Sequence, residues 1–344
     1  MSISSSFRTE IEPSNKLTNI QPNDTVFFIG SCFADNIGQK LSDGMMNSIV
    51  NPFGPAYNPI SVALQIERII DKKKCESKEI IKIENKYLTV LAHSKIHASS
   101  EVELKDIIDT QTTTSHIFLQ KASLIAITFG TAWTYRKTDI EAVVANCHKL
   151  PASCFTRQRL TVDNIVDVWL NTIEKLRNIN PNAHIVFTVS PIRHIKDTLH
   201  GNQISKAILI EAIDKITEQT SNTSYFGAYE IMLDDLRDYR FYTDDMLHPN
   251  KTAIEYIYKH FAEVYLSGNT QQMITEGTKL TQAVQHRPIN ASETDYLIFV
   301  DATIEKIEKF REKYILNTDN LTIKQSVKIL NEFKNNYSML NYQK

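Results

Sequence analysis

Apolar runs that stop at a glycine alternate along the chain with stripes that return every third or fourth residue. The run Thr25-Val26-Phe27-Phe28-Ile29 breaks at Gly30, as a buried strand does at its carboxyl end. Phe33, Ile37 and Leu41 then predict a helix closed by Asp43-Gly44. Asn58-Pro59, an N-cap followed by proline at the first helical position, opens another helix with the stripe Val62, Ile66, Ile69, Ile70. The alternation repeats. A helical run through Ile107, Ile117 and Leu119 precedes the strand Leu124 to Phe129, which ends at Gly130. Thr161 opens a helix carrying Ile165, Val168, Trp169, Ile173 and Leu176, followed by the strand Ile185 to Val189. A helix through Ile204, Ile208, Ala212 and Ile216 leads to a short segment from Tyr225 to Met232.

Strands alternating with helices predict an α/β fold, a three-layer α/β/α sandwich on a mainly parallel sheet of flavodoxin-like type. Ligands bind such sheets beyond the carboxyl ends of the strands. From Ser267 onward the pattern becomes helix after helix, so the expected division is an α/β domain over 1–266 and a C-terminal helical extension over 267–344.

Length and composition narrow the picture. The 344 residues suffice for a large core, and only 9 glycines argue against many tight hairpins. The 42% hydrophobic and 23% charged content excludes collagen-like, low-complexity and disordered readings. A formal net charge of −2 gives no basic excess to attract nucleic acid or anionic membrane. Cys32, Cys75, Cys147 and Cys154 match no CxxC pair or zinc knuckle, so free thiols are expected. The first eight residues lack a basic stretch followed by an apolar run, and no segment reaches the roughly 18 apolar residues of a membrane span, so the expectation is a cytoplasmic chain.

Two segments can carry chemistry. Ser31, where strand passes into helix, is either an ordinary N-cap or a nucleophile whose hydroxyl lies beside helix amides. In Asp244-Asp245-Met246-Leu247-His248, an aspartate three residues before a histidine either forms an acidic turn beside a surface imidazole or orients it as a base. Paired, they supply Ser31, Asp245 and His248 as nucleophile, orienter and base.

That pairing is similar to the SGNH-hydrolase-like (GDSL-type) fold, whose first block carries the serine and whose last reads Asp-x-x-His. The chain resembles, more closely, the GSCFA family, whose motif stands at Gly30 to Ala34. Further motifs of that family are matched at Asn51-Pro52-Phe53-Gly54, Tyr57-Asn58-Pro59, Phe129 to Trp133, Val144 to Lys149, Thr188 to His194, Asn202-Gln203 with Ser205-Lys206, and Leu236 to Tyr242. The likeness runs from about Asp24 to Phe261. It implies a serine-dependent ester hydrolase, with no cofactor, acting on the O-acyl ester of a carbohydrate or small molecule. An acyltransferase on the same triad and a non-catalytic binding module are the alternatives.

The resemblance implies an oxyanion site built from the serine amide, a second-block glycine, here Gly54, and a third-block asparagine. At that third position this chain has Gly130-Thr131-Ala132-Trp133, so the donor falls to Thr131, a backbone amide or Asn146. Other polar residues fall at strand ends. Arg193 either holds a substrate carboxylate or phosphate or forms a structural ion pair. His194 either contacts substrate or caps the next helix. His148 is read as a third substrate contact or a partly buried loop histidine. Cys32 or Cys147 as nucleophile with His148 or His248 as base is a separate enzyme reading. A metallo-phosphoesterase of Asp244, Asp245, His248, His194 and His148 is disfavoured, since no histidine pair stands at helical spacing, and no metal is expected. The C-terminal helices serve a homodimer or cover the pocket.

Overall fold

The computed structural model describes residues 9–11, 17–286 and 293–340. The first eight residues, read above for a leader, lie outside them.

Strand β1 (Thr25–Gly30) passes through Ser31 into α1 (Cys32–Asp43), followed by β2 (Asn47–Val50) and α2 (Pro59–Asp71). A hairpin of β3 (Ile80–Ile83) and β4 (Lys86–Thr89) precedes α3 (Glu101–Lys121), which runs straight into β5 (Ala122–Phe129). Strands β6 (Trp133–Lys137), β7 (Ala142–Val143) and β8 (Phe155–Arg159) form a separate antiparallel sheet. Then come α4 (Val162–Ile179), β9 (His184–Val189), α5 (Thr198–Gln219), β10 (Thr223–Phe226), the short α6 (Ala228–Glu230) and α7 (Lys251–Tyr265). The chain continues with α8 (Gly268–Gln285), α9 (Glu293–Lys313) and α10 (Leu321–Leu340).

The expected caps set the helix starts. Asn58 Oδ1 accepts from the Ser61 amide at 2.9 Å with Pro59 at the first helical position, and Thr161 accepts from the Asn164 amide at 3.2 Å.

The central sheet has the order β10-β9-β5-β1-β2, every pair parallel. Counted along the chain, its five strands lie in the order 2-1-3-4-5, the flavodoxin-like winding whose direction reverses between β1 and β5. The register brings the carboxyl ends level, pairing Gly30 with Thr128 and Phe129 with Val189. Residues just past those ends, Ser31, Gly130 and Ser190, therefore share one rim.

Alternation along β1 divides the core. Val26 and Phe28 enter one apolar cluster with α1 and α7, while Phe27 and Ile29 enter another with α2, α3, α4 and α5. The sheet is thus covered on both faces, the expected α/β/α sandwich. On the second face Trp169 packs against Phe129 at 5.1 Å and Phe187 at 5.2 Å, and its Nε1 donates to the Pro59 carbonyl. Each such buried side chain stabilises the fold by roughly 1.5–3 kcal/mol.

The C-terminal helices extend the first cluster, to which Met273, Tyr296, Val300, Phe310 and Leu330 belong. Their polar contacts bind the turn between α1 and β2: Thr281 donates to the Asp43 carbonyl at 2.7 Å, and Asn320 to the Met45 carbonyl at 3.1 Å. A Cβ at Gly277 would lie 2.3 Å from the Gly44 carbonyl oxygen, so the backbones meet only because residue 277 has no side chain. Among the described residues no helix is long and apolar enough to cross a membrane.

Candidate active site

Gly30 makes the sharp exit from β1 at φ +130°, and a Cβ there would lie 2.1 Å from the Thr128 carbonyl oxygen. Its amide donates to Asn51 Oδ1 at 2.7 Å, and Asn51 Nδ2 donates to Asp35. Ser31 is thereby fixed as the N-cap of α1, its Oγ accepting from the Phe33 amide at 3.4 Å. The hydroxyl stands at the positive end of a 12-residue helix, where negative charge is favoured.

The loop before α7 holds the second half of the site. The Thr243 amide donates to the His248 carbonyl at 2.8 Å, and Met246 turns the chain at φ +59°. Asp245 Oδ1 accepts from Thr243 Oγ1 at 2.7 Å and from the amides of Leu247 and His248 at 2.8 and 3.0 Å. Its Oδ2 meets His248 Nδ1 at 2.5 Å. Hydrogen bonds from the His248 and Leu247 amides, with the Thr243 hydroxyl and the imidazole, hold the Asp245 carboxyl well below the usual range. An ionised Asp245 accepts a hydrogen bond from Nδ1–H, which leaves His248 Nε2 as the acceptor nitrogen.

Ser31 and His248 line one cavity of about 510 Å³ at the rim. No hydrogen bond joins the Ser31 hydroxyl to the imidazole among the described residues. His194 lies in the same wall, edge-on to Tyr57 with ring centroids 6.2 Å apart, and burial pushes its pKa down to about 4. Arg193, Thr131 and Asn146 also line the cavity. The Thr131 hydroxyl is shared between Ser205 Oγ at 3.3 Å and the Trp133 amide at 3.2 Å. Asn146 Oδ1 accepts from the His148 amide at 2.7 Å, whereas no protein acceptor takes its Nδ2 among the described residues.

Three expectations do not survive these contacts. The Gly54 amide donates to the Asn51 carbonyl at 2.7 Å and the residue packs against His93 away from the cavity lining, so it cannot serve an oxyanion. The Ser31 amide is likewise occupied, donating to the Thr128 carbonyl at 3.1 Å. His148 is 7% exposed, bridges the Thr89 carbonyl through Nε2 at 2.8 Å and Ser94 Oγ through Nδ1 at 3.1 Å, and lies outside the cavity lining. Its role is to fold the loop that carries Asn146. The first amide of α1, that of Cys32, has no protein acceptor among the described residues. Cys32 and Cys147 line the cavity too; Cys32 Sγ contacts the Tyr57 hydroxyl at 3.6 Å, and burial raises the Cys147 thiol, which opposes a thiolate at Cys147. Among the described residues no group of three or more histidine, cysteine, aspartate or glutamate side chains is placed to hold a metal ion.

A support that sequence reading did not assign lies beneath the floor. Lys206, 1% exposed, donates to the Gly130 carbonyl at 2.6 Å and the Ser190 carbonyl at 2.7 Å, tying together the ends of β5 and β9. Burial, with Arg193 nearby, lowers its pKa to about 7. Ser205 Oγ accepts from the Ala132 amide at 2.8 Å, and Asn202 Oδ1 from the His194 amide at 2.9 Å. The three stand at i, i+3 and i+4 on α5, the spacing of a buried helix face. Polar residues continuing into the stripe Leu209, Ile213 and Ile216 were the available signal.

The model described as the GSCFA family matches residues 25–261, and that of the GSCFA domain protein, C-terminal domain, matches 278–322. No curated protein matches the sequence. Among solved structures, an acetyl xylan esterase from the rumen bacterium Butyrivibrio proteoclasticus is 13% identical at a TM-score of 0.37, covering 72% of this chain and 64% of that one. A carbohydrate esterase family 3 structure from Talaromyces cellulolyticus is 12% identical at a TM-score of 0.25, covering 46% and 63%. The chain spans just under two thirds of the length of each.

Proposed function

We propose that the chain, which belongs to the GSCFA family, is a serine-dependent ester hydrolase with Ser31 as nucleophile, His248 as base and Asp245 as orienter. The observation that carries this reading is the 2.5 Å contact between Asp245 and His248 Nδ1, on an imidazole that lines the same cavity as the helix-capping Ser31. Ser31 Oγ bonds to the acyl carbon while its proton passes to His248 Nε2. The bond to the alcohol oxygen breaks and that oxygen takes the proton. Water, deprotonated by the same nitrogen, then releases the carboxylic acid and restores Ser31. The Cys32 amide and Asn146 Nδ2 serve the oxyanion, since each lacks a protein partner among the described residues and both residues line the cavity. His194 and Arg193 contact the substrate. A cavity of about 510 Å³ suits an O-acylated monosaccharide or small alcohol.

Assays of the parent and Ser31→Ala on 4-nitrophenyl acetate and acetylated sugars test the reading. It requires turnover by the parent and loss of at least about 10³-fold in the variant. Equal rates on an ester that the parent turns over would remove Ser31 as nucleophile.

A second reading is a binding module that holds an acylated ligand without turning it over. The engagement of the Ser31 and Gly54 amides by Thr128 and Asn51 favours it. Thermal stabilisation by acetylated sugars, with no ester turned over, is its expected signature.

A further inference from the structure

The cavity holds more positive charge than the mechanism uses. Arg157, Arg193 and Lys196 line it against a single carboxylate, Asp197. That carboxylate is committed to Arg157, whose guanidinium also lies 3.9 Å from the Trp133 ring. Among the described residues, Arg193 and Lys196 have no acidic partner within ion-pair distance. The Lys196 ammonium lies 5.8 Å from the Tyr135 ring, and Arg193 lies beside the Tyr242 hydroxyl, close enough to Lys206 to oppose its charge. The chain as a whole carries −2, so this excess is local. In the same wall Trp133 adds a buried indole N–H that has no partner among the described residues.

Cations left without counterions line a concave, partly aromatic surface, where the half-buried Arg193 gives up part of its hydration. They also focus positive potential into the cavity and draw anions there. A guanidinium presents a planar fork that pairs two oxygens at once, and an ammonium supplies a compact second charge. We infer that the ester bound here carries an oxyanion group, a carboxylate or a phosphate, which Arg193 grips and Lys196 neutralises. Both residues follow β9, so the charged group lies on the β9 side of the bond to be cleaved. An anion there also relieves the repulsion between Arg193 and Lys206.

The inference rests on the ester reading of the same site, but binding separates the two. The 344-residue Ser31→Ala chain is titrated calorimetrically with matched pairs. Monomethyl succinate against dimethyl succinate places a carboxylate on the acyl side. 4-Acetoxybenzoate against its methyl ester places it on the alcohol side, and 2-acetoxyethyl phosphate against 2-acetoxyethanol replaces it with phosphate. At least one anionic member is expected to bind tenfold or more tightly than its neutral twin, with affinity falling as salt rises. Adding Arg193→Met or Lys196→Met should bring that ratio to within about threefold of unity. Lys196 is exposed, so its variant tests the idea even if the loss of Arg193 harms folding. Equal affinity within every pair, absence of binding, or a preference that survives both substitutions would overturn the inference. Anion preference in a parent protein that cleaves no ester would instead sink the hydrolase reading and leave the inference standing.

Discussion

Asp245 and His248 meet at 2.5 Å on a loop where the carboxylate accepts three further hydrogen bonds, two of them from the backbone of its own turn. Local sequence alone therefore builds the pair, with no distant residue needed to aim it. Asp245→Asn keeps the shape but presents an amide to Nδ1, favouring the tautomer in which Nε2 carries the proton. The expected outcome is a fall in kcat of up to about 10⁴-fold. Steady-state kinetics with circular dichroism at matched concentration checks it, and a fall below tenfold contradicts the orienting role.

Asn146 is the side-chain donor assigned to the oxyanion. Asn146→Ala should lower kcat by roughly 10²–10³-fold, with a much smaller change in KM, because the interaction strengthens only as negative charge develops. A variant affected in KM alone would move Asn146 from transition-state stabilisation to substrate binding.

Lys206 links the rim to stability. Its folded pKa of about 7 lies below the usual 10.5, so between those values the unfolded chain binds more protons and stability rises with pH. Raising pH from 7 to 9 should stabilise the parent relative to Lys206→Met by roughly 2 kcal/mol, read from urea unfolding. Taking the difference between the two proteins cancels the tyrosines and cysteines that titrate in the same interval. At pH 7 the variant also leaves the Gly130 and Ser190 carbonyls unsatisfied, costing about 1–3 kcal/mol for each. A parent and variant with parallel pH profiles would show that Lys206 titrates normally.

Gly277 tests the attachment of the C-terminal helices. Gly277→Ala forces a methyl group against the Gly44 carbonyl and should destabilise the fold by about 1–3 kcal/mol. Since among the described residues no cavity-lining residue lies beyond His248, activity per folded molecule should stay at the parent level. Thermal unfolding and kcat measured on the same sample decide this.

Much of this architecture could be read from the chain because local rules and tertiary packing agree there. The break at Gly30, the caps Asn58 and Thr161, and the stripes of α1, α2 and α4 all point one way. Strands β6 and β8 leave little trace in the sequence because Trp133–Lys137 and Phe155–Arg159 mix arginine, lysine, threonine and glutamine with few apolar residues, which leaves no apolar stripe. Gly54 has a glycine for its own backbone, at φ +72°, and residue type alone could not reveal that its amide was already bonded. His148 is a loop fastener because Thr89 and Ser94, more than fifty positions away, meet both of its nitrogens. Such long-range partners leave no periodic trace in sequence.

The most direct test of Ser31 as nucleophile is covalent labelling of the 344-residue chain with a fluorophosphonate, followed by peptide mapping. One stoichiometric adduct on Ser31 is expected, absent from Ser31→Ala and formed far more slowly by His248→Ala. An adduct on a different residue, or labelling of Ser31 at the same rate without His248, would contradict it.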